Sequence, residues 1–165
     1  MMRLFALTSI VVCLNGCATY YVAPEGVPSA TLGIVTDMRP VMVYRFDDKE
    51  CSPSTQGNRL LFVDPTFHPD SKNSGPLKIE ANRELVMTFH KSYLANFGSD
   101  RSSCDITIRL TPKPNNYYEA SFKEDKERGG CLLNLFRAEM DSTGKRTLVA
   151  ETAFVRNEKK CTSGQ

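Results

Sequence analysis

Short runs in which apolar and polar side chains alternate recur along most of this chain, and a period of two is the mark of a half-buried strand. Val41 to Phe46 sets Met42, Tyr44 and Phe46 against Val41, Val43 and Arg45. Ile106 to Leu110 has the cleanest alternation, and Tyr117 to Lys123 places Tyr118, Ala120 and Phe122 opposite Tyr117, Glu119, Ser121 and Lys123. Further strands are expected over Ala30 to Val35, Arg59 to Val63, Leu77 to Ile79, Leu85 to Phe89, Cys131 to Ala138 and Leu148 to Val155. The Ala81 to Ala95 stretch also admits a helical stripe through Leu85, Phe89 and Tyr93, but its β-branched and aromatic centre leaves that reading open.

Turn signals separate these runs. Asp47-Asp48-Lys49-Glu50, Thr111-Pro112-Lys113-Pro114-Asn115-Asn116, the charged loop Glu124 to Gly130 and Asp141-Ser142-Thr143-Gly144 all carry residues that reverse a chain. About seven to nine short strands between such turns predict an all-β protein, a single antiparallel β-sandwich of immunoglobulin-like or transthyretin-like type. The longest irregular stretch, Asp64 to Pro76, contains three prolines and His68. Long loops in compact domains are often functional, so Phe67, His68 and Asp70 are the candidate binding loop.

Composition narrows the class. The 165 residues are 41% hydrophobic and 24% charged, with 21 basic and 19 acidic side chains and a net charge of +2. That fits an ordinary globular domain and excludes a disordered chain. A balance so near neutrality offers no dominant basic surface, so no nucleic-acid partner is expected.

The N-terminus breaks the strand pattern. Met1-Met2-Arg3 is a short positive start, followed by an apolar stretch from Leu4 to Leu14 interrupted only by Thr8 and Ser9. A helix needs about 20 residues to cross a bilayer core, so this stretch fits the core of an export signal instead. It ends in Leu14-Asn15-Gly16-Cys17, which resembles the lipobox of bacterial lipoproteins. Leu14, Gly16 and Cys17 match that pattern; Asn15 departs from the small or hydroxyl residue usual there. The resemblance implies that residues 1–16 are a signal peptide and that Cys17 is lipidated as the mature N-terminus. With Ala18 rather than aspartate after the cysteine, it further implies the periplasmic face of the outer membrane. Residues 17–29, with Pro24, Gly26 and Pro28, then read as a tether, 30–161 as the sandwich and 162–165 as a tail.

Six cysteines are many for this length. Cys13 leaves with the signal and Cys17 takes the lipid, so Cys51, Cys104, Cys131 and Cys161 remain. An even number in an exported chain reads as two disulfides, and their wide spacing, with only His68 and His90 beside them, gives no metal-ligand pattern. Four cysteines allow three connectivities. Strand parity turns Cys104 and Cys131 toward the core, whereas Cys51 and Cys161 follow charged runs, so Cys104 with Cys131 and Cys51 with Cys161 is the favoured pairing.

Motifs for catalysis are missing. The chain has no G-x-S-x-G elbow, no H-E-x-x-H, no phosphate-binding glycine loop and no calcium loop, so neither cofactor nor metal is expected. Oxidised cysteines cannot serve as nucleophiles. Acidic pairs such as Asp47-Asp48 are common in turns. In the second half, Cys104, Leu110-Thr111-Pro112, Tyr117-Tyr118 and Cys131-Leu132-Leu133-Asn134-Leu135 follow an order similar to a loose group of small uncharacterised bacterial lipoproteins with a sandwich domain. That similarity covers roughly residues 41–137 and implies fold and location without an activity.

Two functions follow as expectations. One is a non-enzymatic, lipid-anchored envelope protein that binds an envelope protein partner, as an accessory subunit of an envelope or secretion assembly or as an inhibitor of a cell-wall enzyme. The other is a small envelope hydrolase or carbohydrate-binding module using Asp47, Asp48 or Glu119, with Tyr117 and Phe136 stacking on sugar rings.

Overall fold

The computed structural model describes residues 21–38, 40–52, 59–63, 73–92 and 103–162. The lipobox and the candidate loop residues Phe67, His68 and Asp70 lie outside them. Ten strands run in order: β1 (Ser29–Thr36), β2 (Val41–Phe46), β3 (Arg59–Val63), β4 (Asn73–Glu80), β5 (Leu85–Ser92), β6 (Ser103–Leu110), β7 (Tyr117–Glu124), β8 (Cys131–Met140), β9 (Arg146–Ala150) and β10 (Val155–Arg156). They form two five-stranded sheets, β4-β1-β7-β8-β9 and β10-β6-β5-β2-β3, packed as a β-sandwich.

The alternating residues explain the packing. Leu32 and Ile34 from β1, Tyr118, Ala120 and Phe122 from β7, and Leu133 and Leu135 from β8 face Val41 and Val43, Leu85, Met87 and Phe89, and Ile106, Ile108 and Leu110 from the other sheet. Phe89 and Phe122 meet across the two sheets with ring centroids 5.7 Å apart. Loss of one such buried ring typically costs about 3–5 kcal/mol.

Three expectations are corrected. The sandwich is not wholly antiparallel: β1 runs parallel to β7, with Thr31 opposite Tyr117 and Thr36 opposite Phe122. The expected irregular stretch ends earlier, because β4 begins at Asn73 and includes Gly75 and Pro76. Proline is tolerated there because β4 is an edge strand, and the register against β1 slips between Leu32 and Ile34, where Gly75-Pro76 forms a bulge. The strand expected over Leu85 to Phe89 forms as β5, Leu85–Ser92, in place of the helical alternative. Leu148 to Val155 is two strands, not one: β9 ends the first sheet at Ala150, and β10 joins β6 in the second.

Both disulfides form as the parity argument favoured. Cys104–Cys131 links the start of β6 to the start of β8 and so ties one sheet to the other, with Cα atoms 6.1 Å apart. Cys51–Cys161 fastens the C-terminal segment to the turn after β2, with Cα atoms 5.2 Å apart. Cys51 adopts a left-handed φ of 71°, costly for a residue with a Cβ. The turn is held by its amide donating to the Asp48 carbonyl at 3.1 Å, and by the disulfide.

The segment expected as a tether rests on the sandwich over its described part. Tyr21 is buried, its amide donates to the Arg59 carbonyl at 2.8 Å, and the Pro28 carbonyl accepts from Ala81 at 2.8 Å.

Candidate functional site

The acidic candidates Asp47 and Asp48 follow β2 and hold structure. Parity turns Arg45 inward behind Val41 and Val43, where it is 1% exposed. Its Nη2 lies 2.8 Å from Glu80 Oε2, at the end of β4 in the opposite sheet, and 3.7 Å from Asp47 Oδ1. Arg83 approaches the same Glu80 and Asp47 carboxylates at 3.4 and 3.6 Å. The Arg45 guanidinium stacks on Tyr21, 4.6 Å from the ring centroid. The Tyr21 phenol is pushed above its ordinary value, first by burial and then by the Glu80 carboxylate. Two arginines and two carboxylates therefore close one end of the sandwich. Removing one partner of such a buried pair costs about 3–5 kcal/mol, because the other charge is stranded.

Asp48 is a turn acceptor. It receives the amides of Glu50 at 2.9 Å and Ser52 at 3.2 Å, and hydrogen bonding from Ser52 holds its carboxyl below the usual value.

His90 has a partner that period-two reading could not supply. The register places it directly opposite Asp105, and its Nδ1 lies 2.5 Å from Asp105 Oδ1. Ser103 Oγ donates to the other oxygen of Asp105 at 3.3 Å. In a hydrolytic relay the histidine stands between hydroxyl and acid. Here the acid stands between the other two.

Glu119, Tyr117 and Phe136 lie on one sheet face. Tyr118, Ala120 and Phe122 face the core, which leaves Tyr117 and Glu119 outward, and Glu119 pairs with Phe136 on β8. The three lie on the outer face of the β4-β1-β7-β8-β9 sheet, away from Asp47 and Asp48 in the other sheet's turn. Tyr117 reaches across β1 at Gly33, where a Cβ would fall 2.3 Å from the Tyr117 hydroxyl oxygen. Only glycine permits this close approach. Arg146 stacks on the ring at 3.5 Å from the centroid. A sugar stacking on Tyr117 must first displace that guanidinium, a contact worth about 0.5–1 kcal/mol.

The same sheet face exposes Leu132, Met140 and Leu148, at 43%, 67% and 44%. Ala138 pairs with Leu148 and Phe136 with Ala150, so the apolar positions run continuously from β8 onto the edge strand β9. The outer face of the other sheet is also apolar, yet covered: Tyr44, Phe46, Cys51, Val86 and Cys161 form a second small core, with Met42 packed against it. Hydrogen bonds seat the covering segment. Thr107 Oγ1 accepts from the Cys161 amide at 3.1 Å and lies 2.8 Å from Thr88 Oγ1, while Lys159 Nζ reaches the Glu50 carbonyl at 2.8 Å.

Small hollows lie among the described residues. One of about 160 Å³ lies between Tyr21, Val22, Ala23, Leu60, Leu77 and Lys78, and one of about 270 Å³ lies among Lys49, Glu50, Arg109, Asn157, Glu158 and Lys159. Among the described residues no group of three histidine, cysteine or acidic side chains is placed to hold a metal. No described helix is long and apolar enough to cross a membrane. No family model, curated protein or solved structure matches the chain.

Proposed function

We propose that this chain is a non-enzymatic, lipid-anchored protein of the bacterial envelope. In this reading it is held through Cys17 at the periplasmic face of the outer membrane, and its sandwich presents the β7–β8–β9 face to another envelope protein. An accessory subunit of an envelope or secretion assembly and an inhibitor of a cell-wall enzyme both fit this role. The observation that carries the proposal is the contrast between two sheet faces, one roofed by a disulfide-tied segment and one with Met140 and Leu148 exposed beside Phe136 and Ala138. Contiguous exposed apolar surface marks interaction sites. Two disulfides support an oxidising compartment. The structural engagement of Asp47 and Asp48 supports a role without catalysis.

A photo-crosslinkable residue at Leu148, compared with one at Glu158 on the opposite sheet's cover, tests the surface in intact cells. A defined protein adduct from position 148, absent from 158 and lost in Cys17→Ala, is the expected result. Identical adducts from both positions, or none from 148, would overturn the reading. Cys17→Ala is expected to abolish fatty-acid labelling and leave the precursor uncleaved; unchanged labelling would remove the anchor.

A further inference from the structure

Resting on the anchor proposed at Cys17, we infer that the end of the sandwich carrying Tyr21 to Pro28 docks on the lipid surface, with Val22 and Val27 entering the headgroup region. The covalent path leaves little alternative. Tyr21 is fixed to the domain by its burial, by its amide bond to Arg59 and by the Arg45 guanidinium over its ring. Pro28, at the other end of the segment, is fixed through Ala81. The chain between Cys17 and Tyr21 therefore spans at most about 14 Å even when fully extended. The headgroup layer takes up roughly 5–8 Å of that distance. Tyr21 is held within about 10 Å of the membrane surface, close enough for neighbouring side chains to touch it.

The residues at that end suit a lipid surface. Val22 is 75% and Val27 40% exposed, so the fold leaves apolar surface of both in water. The neighbouring turns are tied to the start of β1 and to each other: the Asn115 amide donates to the Ser29 carbonyl at 2.9 Å and the Asn82 amide to the Pro112 carbonyl at 2.8 Å. Four exposed charges lie in this segment and these turns, Arg83 and Lys113 against Glu25 and Glu84, and they offset one another, so insertion of apolar side chains rather than attraction to anionic lipid drives the contact. Because β7 starts at this end, its connection to β8 at Asp125 to Gly130 points away from the bilayer, and the β7–β8–β9 face stands beside the membrane, open to a partner.

The absence of tryptophan makes the test direct. Val22→Trp, Val27→Trp and, in the distal loop, Lys126→Trp are each prepared as the lipidated full-length protein in phosphatidylcholine vesicles with and without brominated acyl chains. Mass spectrometry first establishes that the acyl chains are present. The expected result is blue-shifted emission at positions 22 and 27, quenched by brominated lipid about twofold or more beyond position 126. Equal quenching at all three positions in protein that carries its acyl chains would overturn the docking and leave the anchor standing. Protein recovered without acyl chains would overturn both.

Discussion

The two outer faces of this sandwich begin from similar material and end differently. Strand β2 turns Met42, Tyr44 and Phe46 outward, and β8 turns Leu132, Phe136 and Met140 outward. The β2 set lies under a segment of chain, with Tyr44 and Phe46 5% and 4% exposed, whereas Met140 is 67% exposed. The difference comes from the C-terminal segment, which leaves the first sheet after β9, crosses to pair with β6 and is fastened over β2 through Cys51–Cys161. An outward apolar residue thus belongs to the fold where the chain supplies its own cover, and is available for contact where it does not.

The strongest way to break this comparison is to release the cover. Cys51→Ser with Cys161→Ser opens a loop whose ends are 110 residues apart. The chain-entropy estimate for that closure is about 4–5 kcal/mol, against about 3–4 kcal/mol for the Cys104–Cys131 pair. Urea unfolding of both double variants should show the larger loss for the Cys51–Cys161 pair. A smaller loss there than at Cys104–Cys131 would mean that the cover adds little.

Truncation on each face sharpens the contrast. Phe46→Ala is expected to cost about 3–4 kcal/mol, as for a buried ring. Leu148→Ala should stay within about 0.5 kcal/mol. Similar costs for the two, measured by thermal or chemical unfolding, would show the faces to be equivalent.

The smallest effect is electrostatic and touches both sides. Asp48 lies in the turn beside the cover, and Asp141 in the β8–β9 turn, where Thr143 Oγ1 and the Thr143 and Lys145 amides hydrogen-bond it. Hydrogen bonding holds each carboxyl below its ordinary value near 3.8, chiefly from Ser52 for Asp48 and from the Thr143 hydroxyl for Asp141. A depressed carboxylate stabilises the fold above its unfolded value, and that contribution is lost as pH falls through the lower folded value. Asp141→Asn should therefore flatten the acid limb of the stability profile slightly below pH 4, with no change at neutral pH beyond the lost turn bonds. A profile identical to that of the parent chain would show that the turn does not sense its charge.

Much of the sandwich was legible because its strands alternate. Val41–Phe46 and Arg59–Val63 match their expected bounds, and the turns at Asn115 and Gly144 take the left-handed backbone their residue types favour. Pro76 concealed the first half of β4, since a proline excludes a central strand but not an edge bulge. The Leu148–Val155 run concealed a crossing between sheets, because an apolar tally does not record where a strand changes partners. Alternation also failed at β2, whose two faces are both buried, so that parity alone did not say which held the core. The Arg45–Glu80 pair, made between facing sheets, and the His90–Asp105 pair, made between neighbouring strands, were also beyond reach, because only topology sets those partners. Tyr117, Glu119 and Phe136 were found through parity, but the Arg146 stack that occupies Tyr117 was not.

The parallel β1–β7 pair also governs the order of assembly. β1 is an interior strand of its sheet, and one of its two partners is not available until the chain has been delivered through Glu124. If the chain emerges from an export channel with its N-terminus first, it must wait with an unpaired, apolar strand until most of its length has followed. Pairings between such distant segments close slowly. The interval of exposure to misassociation is thus set by the position of the first strand, and it extends until Cys161 arrives to meet Cys51.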